Sequence, residues 1–312
     1  MNRIKQPPQI CLGCDIAKHE VVIATPKGVY SIDNEAGAIC TFLKQLKPDL
    51  VICEPTGGYE HILIAQCMHL GINLHRVDTL KVKSFIRSFG QLGKSDALDA
   101  SALARYGLER WHDLHLWQQS DEIMDELRAL VLRRNDLVAM RVAETNRLKG
   151  PGAKTVMASL KALIQAINSQ IDHIEQAIER LIKTNSELTQ KISICTTMHG
   201  IGVRTAAALL GLMPELGHLT RRQAASLAGL APHPNESGLS SKRRTVRGGR
   251  PQIAKTIFMT AMQASQGRGE FAEFYKRLID DAKKPIVALT AVMRKIIITL
   301  NARIRDQIIK QS

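Results

Sequence analysis

Four acidic residues in the first third of the chain have the types and spacing of a metal site. Asp15 and Glu54 each close a short, apolar, strand-like run, and Asp96 and Asp99 lie three apart in a helical pattern. Spacing of three puts both carboxylates on one helix face, where they can meet strand-end carboxylates. Such oxygen ligands suit hard divalent cations, which stabilise the attacking and leaving oxygens of phosphoryl transfer. Taken singly, Asp15 reads as a turn-initiating acid and Asp96 as a helix cap, but an acid ending the apolar run at Glu54 is unusual.

A second set of reactive side chains consists of three serines in one short segment. Ser237, Ser240 and Ser241 precede a dense basic run. A serine becomes a nucleophile when a base, a metal or dense positive charge stabilises its alkoxide and the phosphorane-like transition state. We interpret the segment as a loop. Composition leaves open which serine attacks, and it leaves open a solvated linker with no chemistry.

The positive charge is concentrated at the C-terminal end of the chain. The 312 residues contain 43 Lys and Arg against 29 Asp and Glu, a net charge of +14, and residues 191–312 contribute 20 basic and 7 acidic residues. Between Glu215 and Glu270 the only acid is Glu236. This pattern predicts a polyanion-binding surface, with a merely solvated basic face as the alternative. Its candidate contacts are Arg221, Arg222, Lys242, Arg243, Arg244, Arg247 and Arg250.

Two glycines precede a helical pattern just ahead of this basic region. Gly200 and Gly202 lie immediately before Arg204 in a segment that resembles a helix-hairpin-helix element. In such an element, backbone N–H groups at a helix N-terminus approach a DNA phosphate. A glycine pair before a helix is common, and the basic stretch that follows strengthens the interpretation. We therefore add Gly200, Gly202 and Arg204 to the predicted nucleic-acid contacts.

Three regions must position these residues. Residues 1–110 alternate strand and helix patterns, which predicts a three-layer α/β domain. Residues 111–190 carry long apolar heptad spacing, which predicts two helices forming a coiled-coil arm; Arg134 and Arg141 at its seam are expected to face a partner. Spacing alone does not separate a dimerisation element from an arm within one chain. Residues 191–312 are predicted to be mainly helical and basic.

Composition excludes several classes of protein. The chain is 45% hydrophobic and 23% charged, values typical of an ordinary globular protein. No stretch approaches the roughly 18 uncharged apolar residues of a membrane span, and no apolar leader follows the basic N-terminus. We therefore expect no membrane association and a cytoplasmic location. The six cysteines are expected to be thiols, and Cys11 and Cys14, three apart on a strand, are expected to be core residues rather than metal ligands.

A series of short motifs, in one order along the chain, resembles the DEDD transposases related to the Piv DNA invertase. The resemblance runs from about residue 10 to about residue 308, and no single motif is strong. The motifs are Cys14-Asp15-Ile16-Ala17-Lys18, Cys53-Glu54-Pro55-Thr56-Gly57, Lys94-Ser95-Asp96-Ala97-Leu98-Asp99-Ala100, Gly200-Ile201-Gly202, Gly229-Leu230-Ala231-Pro232, Glu236-Ser237-Gly238 and Ala291-Val292-Met293-Arg294-Lys295.

This resemblance implies a fold and a reaction. It implies a RuvC-like, ribonuclease-H-type α/β domain at 1–110, a helical coiled-coil dimerisation arm at 111–190 and a basic, mainly α-helical transposase domain at 191–312. It also implies that Asp15, Glu54, Asp96 and Asp99 bind Mg²⁺, with Mn²⁺ as an alternative, and that Ser237 attacks DNA to form a phosphoserine link. The implied partners are double-stranded DNA, a noncoding guide RNA encoded by the element, and further copies of the chain in a dimer or tetramer.

Three other functions compete with guided transposition. A Piv-like invertase would recombine DNA without RNA. A metal-dependent endonuclease of the Holliday-junction type would activate water with the same carboxylates and would not need Ser237. A nucleic-acid-binding regulator would tolerate loss of Asp15, but four aligned carboxylates argue against a protein without catalysis.

Overall fold

The computed structural model describes residues 3–90, 93, 95–118, 121–237 and 240–311. The chain divides into two compact units, residues 1–119 and 120–312. The two predicted helices of the arm belong to the second unit, because their apolar side chains share its core.

A five-stranded sheet forms the centre of the first unit. Its order is β3-β2-β1-β4-β5: an antiparallel meander at one edge followed by parallel strands. The strands are β1 (Cys11–Ile16), β2 (Glu20–Thr25), β3 (Gly28–Asp33), β4 (Leu50–Cys53) and β5 (Asn73–Arg76). The helices are α1 (Ala36–Leu46), α2 (His61–His69), α3 (Thr79–Arg87) and α4 (Asp96–Arg110), followed by a short 3-10 turn at Trp111–Asp113.

Helices cover both faces of this sheet, so the unit has three layers. Ile39 of α1 and Leu63 of α2 pack against one face, and Phe85 of α3 and Leu103 of α4 pack against the other. Strand β4 is buried at every residue, which is why it reads as a continuous apolar run. The mixed α/β prediction for the N-terminal region is confirmed.

All six cysteines are free thiols, and five of them, including Cys11 and Cys14, are core residues as the sequence predicted. Cys11, Cys14, Cys53, Cys67 and Cys195 are buried and unpaired by disulfides. Burial raises the pKa of the Cys67 and Cys195 thiols to about 12, so both stay protonated at neutral pH. Protonated, buried thiols are poor metal ligands and poor nucleophiles.

The second unit is mostly helical and encloses one large apolar core. Its core combines residues of the arm, such as Leu127 and Ile178, with residues of later helices, such as Leu209, Ile257 and Leu300. The helices are α5 (Glu122–Leu148), α6 (Ala153–Thr184), α7 (Ser186–Thr196), α8 (Val203–Leu212), α9 (Arg221–Leu227), α10 (Pro251–Gln266), α11 (Glu270–Asp280) and α12 (Pro285–Gln311).

The two seam arginines of the arm are satisfied within the chain. The Arg134 guanidinium donates to Glu175 Oε1 at 2.8 Å, and Arg141 donates to Asn168 Oδ1 at 3.2 Å, both across the α5–α6 pair. Acceptors on α6 therefore lie opposite both arginines, and the expectation that these arginines also face a partner stays a prediction. Leu137, Ile167 and Ile171 form a small apolar cluster in the same pair.

Helix α12 is long and apolar enough to cross a membrane by length and composition, which the sequence analysis did not anticipate. Its buried residues explain the composition. Ala288, Val292, Ile296 and Leu300 are fully buried in the core of the second unit. The side of a helix that packs in a protein core is apolar for the same reason as a membrane helix, since both avoid water.

The segment interpreted as a loop is a β-hairpin. Strands β6 (Pro232–Ser237) and β7 (Ser240–Val246) pair antiparallel, with an irregularity between His233 and Asn235. The loop interpretation is therefore wrong for these residues. Proline, asparagine and consecutive charges mask the strand signal, and pairing with the partner strand supplies the hydrogen bonds that local propensity does not predict.

Candidate active site and nucleic-acid surface

Asp15 and Glu54 lie at the same edge of the sheet. Strands β1 and β4 are parallel neighbours, and Cys14 pairs with Cys53. The residue after each of these cysteines is the acid, Asp15 after Cys14 and Glu54 after Cys53. Both acids are half-buried, and both interact with other residues of the protein. The sheet register therefore holds the two acidic positions side by side at the carboxyl ends of β1 and β4, as the sequence predicted.

Helix α4 reaches this edge because β1 has glycine where the helix crosses it. A Cβ atom built on Gly13 would lie 2.1 Å from the Ala100 carbonyl oxygen and 2.2 Å from the Ala104 nitrogen. Further along the helix, a Cβ on Gly107 would lie 2.4 Å from the Cys11 sulfur. The helix therefore runs antiparallel to β1, and its N-terminal turn lies at the carboxyl edge of the strand.

The other two acids occupy that N-terminal turn. Ser95 caps α4 through a hydrogen bond from the Leu98 nitrogen, and Asp96 and Asp99 follow within the first turn. Acids are favoured there because the helix dipole places partial positive charge at its N-terminus. Asp96 is exposed and Asp99 half-buried, one residue before Ala100 at the contact with β1. The backbone thus brings all four acidic positions to one end of the unit.

The four carboxylates do not form a coordination cluster. Across the described residues, no group of three or more His, Cys, Asp or Glu side chains is arranged to hold a metal ion. The tetrad therefore remains a prediction supported by backbone placement and by oxygen chemistry that suits Mg²⁺.

The candidate nucleophiles lie at the end of the β6–β7 hairpin. Ser237 pairs in register with Ser240, and Glu236 pairs with Ser241. Gly238, which belongs to the Glu-Ser-Gly motif, falls outside the described residues, as does Lys94 of the Asp96 motif. The register keeps all three serines at the same end of the hairpin, Ser237 on β6 and the other two on β7. Backbone geometry therefore does not show which serine is the nucleophile.

The predicted basic contacts fall into two groups. Arg221 and Arg222 open α9 after a capping box at Thr220 and are exposed, as is Arg247 beyond β7. Arg250, by contrast, makes a two-pronged ion pair with Glu215 at 2.9 and 2.6 Å, and it also donates to the Leu212 carbonyl. This arrangement ties the start of α10 to the end of α8, a structural task. Lys242, Arg243 and Arg244 lie on β7.

The glycine pair lies between α7 and α8, and α8 begins directly after Gly202, so the predicted helix start is confirmed. Gly200 has a φ of +84°, a left-handed conformation that favours glycine, and Gly202 is the N-cap of α8. Arg204, in the first turn of α8, donates to Glu175 at 2.7 Å although its side chain is 73% exposed. This exposed guanidinium leaves donors available to an anion at the helix N-terminus.

Two buried polar residues near the acidic edge escaped the sequence analysis. Asn34 is 5% exposed and Glu60 is 2% exposed. The signal available for Glu60 was an acid six residues after Glu54 in a turn-rich segment. Nothing in the local pattern marked Asn34, because its partners lie 17 and 25 residues away.

Family models match both ends of the chain. One, described as a transposase of the DEDD type found in IS110, matches residues 12–151, and another, described as the transposase IS116/IS110/IS902 family, matches residues 193–276. Together they cover more than two thirds of the chain, in the order that the acidic edge and the basic helical unit occupy. The chain therefore belongs to the IS110 transposases of the DEDD type, and it is a DNA transposase or recombinase.

Individual relatives agree with this assignment. The chain is 29% identical to the pilin gene-inverting proteins of Moraxella lacunata and Moraxella bovis over 264 residues, which is 82% of this chain and 80% of each of theirs. It is also 32% identical to an uncharacterized 43.6 kDa protein of insertion element IS110 from Streptomyces coelicolor over 166 residues, which is 50% of this chain and 39% of that protein.

Proposed function

We propose that the protein cleaves and rejoins DNA with a divalent-metal carboxylate site and a serine nucleophile. The observation that carries the proposal is the shared edge: the register of β1 with β4 and the close approach of α4 at Gly13 direct four acidic positions to one end of the unit. In this proposal the unit is RuvC-like. Its donor set, carboxylate oxygen throughout, suits Mg²⁺ or Mn²⁺.

The chemistry divides between the acids and the serine. Asp15, Glu54, Asp96 and Asp99 would hold the cation, which when bound supplies charge stabilisation to the scissile phosphate. Ser237 Oγ attacks phosphorus, its proton leaves to solvent or a base, and the P–O bond to one sugar oxygen breaks. The resulting phosphoserine diester retains the bond energy. Attack by a sugar hydroxyl on that diester releases Ser237 and rejoins the strand, so no nucleotide cofactor is consumed.

The remaining parts of the proposal concern partners. We assign nucleic-acid binding to the basic residues of 191–312, oligomerisation to the arm at 111–190, and a cytoplasmic location to the working protein. A guide RNA encoded by the element is proposed as the source of target choice. The exposed arginines on α9 and after β7 support polyanion binding, which RNA and DNA share.

A trapped-adduct experiment tests the chemistry without knowledge of the target. The wild-type protein is expressed in cells, denatured rapidly, and any DNA that stays covalently attached is sequenced. We expect an adduct that disappears in Ser237→Ala and persists in the matched variants Ser240→Ala and Ser241→Ala. Asp15→Ala and Glu54→Ala should abolish the adduct while nucleic-acid binding persists. Cleavage without any adduct would favour the endonuclease, and an adduct that disappears only in Ser240→Ala or Ser241→Ala would relocate the nucleophile.

A second candidate is DNA inversion, which is favoured by the match to the pilin gene-inverting proteins over 82% of the chain. We propose this candidate as a reaction that needs no RNA. The two functions differ in their need for RNA. Protein purified through ribonuclease treatment would still form the adduct if it is a simple invertase. Loss of the adduct, restored by RNA extracted from the untreated protein, would establish the guided reaction.

A further inference from the structure

Asn34 ties together the two chain segments that follow the strand-edge acids. It comes directly after β3, and its side-chain nitrogen donates to the Ala17 carbonyl at 2.9 Å and to the Tyr59 carbonyl at 3.2 Å. Its backbone nitrogen donates to the His19 carbonyl at 3.0 Å. Ala17 is two residues beyond Asp15, and Tyr59 is five beyond Glu54. One buried side chain therefore bridges the two segments.

Glu60 fixes the segment after Glu54 from within. Its Oε2 accepts hydrogen bonds from the Thr56 nitrogen at 3.1 Å, the Thr56 hydroxyl at 2.9 Å and the Gly58 nitrogen at 2.9 Å. Its Oε1 lies 3.3 Å from a guanidinium nitrogen of Arg76, the last residue of the neighbouring strand β5. The Glu60 carboxylate therefore joins the end of this turn to Thr56 and Gly58 within it, and joins the turn to Arg76 of the next strand.

The ionised form of Glu60 is the one that this environment selects. Burial by itself opposes ionisation, but the hydrogen bonds from backbone nitrogens and from the Thr56 hydroxyl outweigh it and lower the pKa of Glu60 to about 2. A buried carboxylate with three donors on one oxygen is held in a single orientation.

The side-chain oxygen of Asn34 lowers the stability of the fold, and packing alone does not explain why an asparagine occupies this position. Its Oδ1 is buried and has no hydrogen-bond partner among the residues that the structure describes. Rotating the amide would turn that oxygen toward two carbonyls and lose both donated bonds, so the observed orientation is fixed. An unsatisfied buried acceptor costs about 1–3 kcal/mol. Local violations of this kind are expected where a residue serves a function beyond stability.

We propose that Asn34 and Glu60 are positioning residues: they hold the segments that follow Asp15 and Glu54, so that the two acids, placed side by side by the strand register, are oriented for cation binding. This inference rests on the proposed metal site. Neither residue needs to touch the cation or the DNA. Supporting residues around a metal site change affinity by about 10–100-fold, because ligand oxygens must be held within a few tenths of an ångström.

The test measures Mn²⁺ binding by the full chain, followed by electron paramagnetic resonance, with Asp15→Asn defining the background. We expect Asn34→Ala and Glu60→Gln to bind Mn²⁺ at least 10-fold more weakly at temperatures where both remain folded. Thr56→Val, which removes only one donor to Glu60, is a milder variant that preserves the fold, and its affinity should fall by a smaller factor. In Asn34→Ala and Glu60→Gln, raising the Mn²⁺ concentration should restore adduct formation.

Matched controls separate positioning from general destabilisation. In the second unit, Asn301 is 2% exposed. Its amide oxygen accepts from the Gly217 nitrogen, and its amide nitrogen donates to the Leu219 carbonyl. Glu215 forms an ion pair with Arg250. Asn301→Ala and Glu215→Gln should lower thermal stability without changing Mn²⁺ affinity. Wild-type affinity in Asn34→Ala, Glu60→Gln and Thr56→Val would overturn the inference while leaving the metal site intact. Absence of specific Mn²⁺ binding by the wild type would overturn the metal site itself, and the inference with it.

Discussion

Replacing Gly13 with alanine should uncouple α4 from the acidic edge. The added Cβ would meet the Ala100 oxygen at 2.1 Å and the Ala104 nitrogen at 2.2 Å, both backbone atoms that have no rotamer to change. Restoring the separation to the 3.0 Å below which real Cβ atoms are essentially never found requires the helix or the strand to move by about 1 Å. Overpacking of this kind costs about 1–3 kcal/mol in stability.

The same displacement predicts the functional effect. Asp96 and Asp99 belong to α4 and move with it, whereas Asp15 and Glu54 keep their places in the sheet. Misplacement by about 1 Å can lower activity by about 100-fold, so adduct formation should fall by that order. The loss should exceed what the stability change explains, since a protein with several kcal/mol of stability remains folded after losing about 2 kcal/mol.

The assay compares Gly13→Ala with Gly37→Ala. A Cβ on Gly37 in helix α1 meets no atom within 4 Å, so that variant should keep wild-type activity and gain up to about 1 kcal/mol in stability. Adduct yield in cells and thermal unfolding of the purified proteins are measured for both. Wild-type adduct yield in Gly13→Ala would refute the idea that contact between α4 and β1 sets the site.

Three further predictions concern charge and the core. Because the pKa of Glu60 is lowered from 4.5 to about 2, its ionised form stabilises the fold by about 3 kcal/mol above pH 4.5. This contribution disappears as the pH falls through 2. When the free energy of unfolding is measured against pH, Glu60→Gln should therefore lose less stability than the wild type between pH 4.5 and pH 2. Arg243, Arg244 and Arg247 lie in or directly after the hairpin. Replacing all three with alanine should reduce the slope of log affinity for nucleic acid against log salt concentration by about 0.9 for each phosphate that is no longer neutralised. An unchanged slope would place the polyanion surface elsewhere. Leu300→Ala should cost the second unit about 2–5 kcal/mol, whereas Ile309→Ala, at a position 65% exposed, should change the unfolding free energy by less than about 0.5 kcal/mol.

Local sequence patterns are enough to predict the mixed α/β character of the first unit and the chemistry available to it. Strand and helix periodicity, which is a local property, predicted the alternating strands and helices of residues 1–110, and it located Asp15, Glu54, Asp96 and Asp99 at element ends. Motif order indicated the family before any contact was known. Charge counting located the basic region, because net charge does not depend on how the chain folds.

Tertiary structure alone decided which of these residues meet and which are already engaged. The contact of Gly13 with Ala100 joins residues far apart in sequence, and no local pattern records it. The β6–β7 hairpin forms because each strand supplies the other's hydrogen bonds. Arg250 looks like any basic residue of its region until Glu215 is found beside it. The partners of Asn34, and the contact of Glu60 with Arg76, are brought close by the sheet, because hydrogen bonds depend on distance in space and not on separation along the chain.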